Sequence, residues 1–174
     1  MQLGLSESAR VTTKEESRYR INYPNSCPRK SRVIALDQRG TAALRRLAQE
    51  VDLPTAHLLS FVGATSVNDN LKILAVDAVL EDLTGRTFSL SEEIGEADIV
   101  VMVATAGGAA DAAEIIGNAC FVRSKMTTGL IVNAARARSD ELHRTLTAMR
   151  PFAAMLVISD GEEHIGEMLS ALRA

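Results

Sequence analysis

Residues 97–108 read Ala97-Asp98-Ile99-Val100-Val101-Met102-Val103-Ala104-Thr105-Ala106-Gly107-Gly108. From Ile99 to Ala104 no side chain is polar, which is the pattern of a strand buried on both faces rather than one shared between core and water. The run closes on a hydroxyl residue and a glycine pair, and helical apolar spacing follows over Ala109–Phe121. Strand, tight corner and helix in that order are the unit of an α/β fold with parallel strands.

The same alternation extends in both directions. Strand candidates are Val33–Asp37, His57–Val62, Asp98–Ala104, Gly129–Ala134 and Phe152–Ile158, each a short run of β-branched and aliphatic residues. Helix candidates between them are Thr41–Val51, Asn68–Leu83, Ala109–Phe121, Ser139–Met149 and Gly161–Leu172. Asn68, Ser139 and Asp160 read as helix starts, Pro151 as a stop after the fourth helix and Gly85 as the C-terminal glycine of the second. Five strands alternating with five helices predict a doubly wound, Rossmann-like three-layer sandwich on a mostly parallel five-stranded sheet. Residues 86–97 stand outside that scheme, where Phe88 and Leu90 could add a short strand or pack a loop.

At 174 residues the chain has room for one ordinary domain. Its net charge of −3 hides an uneven split. Residues 1–32 hold seven basic and three acidic side chains, whereas residues 33–174 hold twelve and nineteen. The chain therefore reads as a basic N-terminal arm, residues 1–32, on an acidic α/β body, residues 33–174. The arm has no sustained apolar period, and Pro24 and Pro28 break any helix near its end. Its densest piece, Pro28-Arg29-Lys30-Ser31-Arg32, suits an acidic partner protein, an anionic lipid surface or, more simply, the acidic body of its own or a neighbouring subunit, and arm exchange of that last kind would make a homo-oligomer. Nucleic acid fits poorly, because the body is acidic and aromatics make up 3% of the chain, too few for base-stacking surfaces. Cys27 and Cys120 form no disulfide framework, which points to a reducing, cytoplasmic setting. No run of 18 apolar residues is present to span a membrane. An organelle transit peptide is disfavoured by Glu7, Glu15 and Glu16.

In a parallel sheet, ligands bind beyond the carboxyl ends of the strands. The loop after the third predicted strand is the best candidate for an anion cradle: Thr105 offers a hydroxyl, while Gly107 and Gly108 let backbone N–H groups approach a ligand at a helix start. Asp111, in the first turn of that helix, would repel an anion there. After the first strand, Arg39 and Gly40 could present a second anion contact. Asp37 could orient a ligand or carry a proton, although a helix cap or an ion pair with Arg39 explains it more simply. After the fourth strand, Arg136 and Arg138 offer planar forks suited to phosphate or carboxylate, or they are solvated beside Asp140 and Glu141. Asp160 is the other plausible acid–base group. No G-x-G-x-x-G, P-loop or G-x-S-x-G motif occurs, so no conventional NAD, ATPase or hydrolase site is indicated. His164 with Glu163 and Glu167 has spacing for a metal, but no second ligand pair accompanies it and a charged outer helix face explains it as well. His57 reads as a histidine satisfied inside a strand, and His143 as a solvated one.

The stretch from Ala97 to Gly108, preceded by strand, helix, strand and long helix, resembles the nucleotide-binding domain of tubulin and its bacterial division relative. In that family the phosphate loop continues with further glycines and a threonine, whereas here it continues Ala109-Ala110-Asp111. The resemblance implies that GTP-like ligands belong among those to be tried. The residues themselves predict a protein that binds a small anionic ligand, nucleotide-like or phosphorylated, through Asp37, Arg39, Gly40, Thr105, Gly107, Gly108, Arg136 and Arg138. The alternative is a non-catalytic assembly subunit docked through its basic arm. Neither a reaction type nor a cofactor follows from the sequence.

Overall fold

The computed structural model of the chain describes residues 28–65 and 77–172. Most of the predicted arm, Cys27 and the helix start at Asn68 lie outside the described residues. The elements run β1 Ser31–Ala35, α1 Gln38–Glu50, β2 Ala56–Thr65, β3 Asp77–Asp82, β4 Thr87–Ser89, α2 Leu90–Glu96, β5 Ile99–Thr105, α3 Ala112–Val122, β6 Met126–Val132, α4 Ser139–Met149, β7 Met155–Ile158 and α5 His164–Leu172. Single 3₁₀ turns at Ala134–Arg136 and Arg150–Phe152 flank α4.

One seven-stranded sheet has the order β4-β3-β2-β1-β5-β6-β7. The five expected strands are its parallel part: β1 pairs with β2 and β5, β5 with β6, and β6 with β7, all parallel. The two remaining strands are antiparallel and extend the sheet beyond β2. They replace the far half of the helix expected over Asn68–Leu83; residues 66–76 lie outside the described residues. Asp77–Asp82 pairs with β2 on one side and β4 on the other, with Phe61 opposite Leu80 and Leu80 opposite Phe88. The burial of Ala78 and Leu80, with Val79 between them half exposed, follows the period of a strand.

Gly85 accordingly ends no helix. It lies at φ +89° in the hairpin turn between β3 and β4, a conformation that costs glycine little. Asp82 organises this turn by accepting from Thr84 N–H and Oγ1, both at 2.7 Å, and from Arg86 N–H at 3.0 Å. The Thr84 hydroxyl contact is the main cause holding the Asp82 carboxyl below its ordinary pKa. Residues 86–97 form the short strand anticipated at Phe88, followed by a helix, α2, that the sequence reading did not include.

Side chains leave the sheet on both faces. Ile34, Leu59, Val100, Met102 and Ile131 pack with α2, α3 and α4. Val33, Ala35, Val101, Val103 and Leu130 pack with α1 and α5. Every residue of β5 is buried, as its unbroken apolar run requires. These three layers bring the carboxyl ends of β1, β5 and β6 to one edge of the sheet.

The first strand starts at Ser31, two residues before the expected Val33, and takes Arg32 into the body. Arg32 is only 8% exposed and pairs through Nε with Glu93 and through Nη2 with Glu96 at 3.2 Å. His57 Nδ1 lies 3.0 Å from the same Glu93 carboxylate, and its ring meets Phe88 edge-on at 4.9 Å.

Candidate functional site

At the carboxyl edge of the sheet, Asp37 ends the loop after β1 and caps α1. Its Oδ1 accepts from Gly40 N–H at 2.5 Å, which satisfies one of the unpaired donors of the first helical turn. The same carboxylate reaches the end of β5, accepting from Thr105 N–H at 2.8 Å and from Thr105 Oγ1 at 3.2 Å. Asp37 is therefore a brace between two strand ends.

The glycine corner is built around that brace. A Cβ on Gly108 would stand 1.7 Å from Asp37 Oδ2 and 2.9 Å from the Thr105 carbonyl oxygen, so no larger residue fits without rearrangement. Gly107 lies at φ +81°. Its N–H donates to Thr145 Oγ1 at 3.0 Å, and Gly108 N–H donates to the Thr105 carbonyl at 2.7 Å. Ala106 N–H donates to the Val132 carbonyl at 2.9 Å. All four N–H groups from Thr105 to Gly108 thus have partners inside the protein. The helix after this corner opens at Ala112 rather than at the glycines, with Asp111 as an N-cap that makes no side-chain capping bond. The paired glycines serve a tight turn over a carboxylate and leave no donor of their own toward solvent.

Beside this corner lies an open cleft of about 320 Å³. Helix α1 contributes Arg39, Ala42 and Arg46; the end of β5 contributes Thr105 and Ala106. The segment after β6 gives Asn133, Arg136 and Ala137, α4 gives Glu141, and the loop before α5 gives Glu162. Of the expected site residues, Arg39, Thr105 and Arg136 line this cleft together. Asp37, Gly40, Gly107 and Gly108 form the corner next to it. Arg138 is not among the lining residues; its side chain is 80% exposed and lies 3.4 Å from Asp140. Ser139, expected as the start of α4, is its first helical residue; Glu141 accepts the Arg138 N–H at 2.9 Å.

Arg46, Asn133, Glu141 and Glu162 were not singled out from the sequence. Arg46 follows Arg39 by seven residues, close to two helical turns, and so shares its face of α1. Asn133 lies at φ 60°, a left-handed conformation that asparagine tolerates better than most residues, and turns the chain at the carboxyl end of β6. Glu162 is neutralised in place, with Arg46 Nη2 at 2.7 Å and Asn133 Nδ2 donating at 2.9 Å. Among the described residues, neither Arg39 nor Arg136 has an ion-pair partner, so two guanidinium groups at the cleft are uncompensated.

Asp160, the other acid–base candidate, is exposed and does not line the cleft. His164 sits on the surface of α5, 3.2 Å from Glu167. Among the described residues, no three His, Cys, Asp or Glu side chains come together as a metal ion would need, and no helix is long and apolar enough to cross a membrane.

The fold and site define an α/β three-layer protein with a seven-stranded, mostly parallel sheet and an arginine-bearing cleft at the carboxyl edge of its strands. No protein-family model matches the sequence, and no curated protein does. Among the solved structures similar to it are two of translation elongation factor SelB from Methanococcus maripaludis. The apo form shows 14% identity and a TM-score of 0.44 over 81% of this chain and 35% of that one. The complex with the GTP analogue GPPNHP shows 14% identity and a TM-score of 0.44 over 87% of this chain and 33% of that one. The chain spans about a third of the length of those structures.

Proposed function

We propose that the cleft binds a small anionic ligand, phosphorylated or nucleotide-like. The observation that carries this reading is the meeting of Arg39 and Arg136, both without ion-pair partners among the described residues, in a cleft at the carboxyl edge of a parallel sheet. Two guanidinium groups from different elements can hold one phosphate or carboxylate between them with several charge-assisted bonds. Asp37 supports the site from behind by fixing the end of β5 and the start of α1. Arg138 stands outside the lining and is paired with Asp140, so it takes no part in the proposed contact. The reading is one of binding and assigns no reaction.

The test is a thermal-shift screen over orthophosphate, sugar phosphates, nucleotides and divalent metals, with Arg39→Ala and Arg136→Ala as controls. A ligand selective for the native state raises the melting temperature. A phosphorylated compound should do so in the parent protein, and each arginine variant should weaken the effect at least tenfold in concentration. Failure of every anion to stabilise the full chain would sink the proposal.

A second reading, an assembly subunit docked through residues 1–32, is favoured by one feature of the opposite edge. There Phe121, Val122 and Met126 are 82%, 61% and 54% exposed around the turn from α3 to β6. Light scattering on the full chain and on a variant lacking residues 1–27 tests it. An oligomer lost with the arm supports docking of the arm on a second copy of the chain; an unchanged monomer removes that form of the reading.

A further inference from the structure

Resting on the proposed anion site, we infer that its ligand is a small polyol or sugar carrying a single phosphate, rather than a nucleotide or a polyphosphate. Three features of the cleft restrict the ligand in different ways.

The first is the seat for further phosphates. A di- or triphosphate chain at the end of a parallel strand is usually held by consecutive backbone N–H groups of a glycine loop. Here the N–H groups of Thr105, Ala106, Gly107 and Gly108 all bond within the protein. The Asp37 carboxylate already collects the N–H groups of Gly40 and Thr105 and the Thr105 hydroxyl. An internal anion thus occupies the corner where a second phosphate would go, and its charge would repel one. The arginine pair remains, which suits one anionic head.

The second is the absence of a stacking face. No aromatic side chain is among the described residues lining the cleft. Its volume of about 320 Å³ falls near the lower end of the roughly 300–1,000 Å³ common for small-molecule sites.

The third is what faces the arginines. Glu162 is neutralised by Arg46 and also accepts from Asn133. Glu141 spends one oxygen on the Arg138 N–H and offers its remaining lone pairs at the cleft wall. A carboxylate beside an anion site calls for a ligand that brings hydrogen-bond donors along with its charge, and the hydroxyls of a sugar or polyol are such donors. A bare anion gains nothing from Glu141.

Isothermal titration of the full chain with orthophosphate, pyrophosphate, ribose 5-phosphate and AMP tests the inference. Ribose 5-phosphate should bind about tenfold more tightly than orthophosphate, as expected of charge-assisted hydroxyl contacts. Pyrophosphate should gain less than about threefold over orthophosphate, and AMP less than about threefold over ribose 5-phosphate, since a stacked base would add about fivefold or more. Glu141→Gln should cut the advantage of ribose 5-phosphate to about threefold or less while orthophosphate binds at least as well as before. That split separates a contact to the ligand from general damage to the fold. A fivefold or greater gain from the second phosphate or from the base overturns the inference and leaves the anion site standing. So does orthophosphate binding with no added affinity for the sugar. If none of the four compounds binds, the anion site falls and this inference with it.

Discussion

The two edges of the sheet carry similar side chains under opposite conditions. At the amino edge, Arg32 on β1 is 8% exposed and held by Glu93 and Glu96, with His57 sharing the Glu93 carboxylate. At the carboxyl edge of the same strands, Arg39 and Arg136 are exposed at an open cleft and have no ion-pair partner among the described residues. A buried guanidinium must be paired, because removing it from water costs several kcal/mol. An exposed one keeps its hydration and can exchange it for a ligand. Arginine at the first edge is therefore part of the fold, and at the second it is available for function. A count of basic residues along the chain treats all three alike.

The strongest way to break this comparison is to unpair the amino edge. Glu93→Ala strips Arg32 of its closest partner, leaves Glu96 at 3.2 Å, and removes the carboxylate beside His57. Urea unfolding should show a loss of about 3 kcal/mol, the lower part of the range for a broken buried pair. Combining Arg32→Met with Glu93→Leu should recover most of that loss, since no unpaired charge stays buried. A loss below about 1 kcal/mol for Glu93→Ala would place this cluster with ordinary surface pairs.

Next in size is the corner over Asp37. Gly108→Ala puts a methyl where the Asp37 carboxylate and the Thr105 carbonyl already stand. The expected cost is about 2 kcal/mol, typical of forcing extra atoms into a packed place. If Asp37 is the obstacle, adding Asp37→Ala should reduce the further cost of Gly108→Ala to under about 1 kcal/mol, a coupling that a double-mutant cycle reads directly. Additive losses would place the obstacle at the Thr105 carbonyl instead.

How much of this was visible in the sequence depends on what decides each feature. The parallel strands were legible because burial on both faces leaves an unbroken apolar run, as at Ile99–Ala104. Residues 77–83 were misread because Ala78, Val79 and Leu83 also fit helical spacing, and pairing to β2 and β4 decides the matter from a distance. The place of the candidate cleft was legible in part, since Arg39, Thr105 and Arg136, which line it, all lie at or just after strand ends. Its chemistry was not. Paired glycines look the same whether they cradle a ligand or clear space for an internal carboxylate, and only the position of Asp37 distinguishes the two. Arg32 was assigned to the arm because its charge is visible in sequence and its partner, 61 residues away, is not.

Cys120 on α3 offers a smaller, pH-dependent measure of how far burial outweighs charge away from the cleft. Burial pushes its thiol up to about 12, although Arg123 and Lys125 pull the other way. Because the native thiol holds its proton to higher pH than the unfolded one, its stabilising contribution is complete below the unfolded value of 9.0 and declines as pH climbs toward 12. Between pH 8 and 10 the parent protein should lose about 1 kcal/mol more than Cys120→Ala does, compared by urea unfolding under reducing conditions. Equal slopes would mean that the thiol is hydrated. In a Cys27→Ser background, native Cys120 should also resist alkylation at pH 8, since the thiolate is the reacting form.

The smallest expected change in stability is the most informative about function. Arg39→Ala with Arg136→Ala removes two exposed cations that pair with nothing among the described residues, so the fold should shift by no more than about 0.5 kcal/mol. The same double variant should lose orthophosphate and sugar-phosphate binding. In the parent protein that binding should weaken as salt rises, since exposed charges are screened at short range. A stable, non-binding double variant would set the carboxyl edge apart from the amino edge, where removing Glu93 costs stability. A double variant destabilised by 2 kcal/mol or more would instead make Arg39 and Arg136 structural, and the difference between the two edges would disappear.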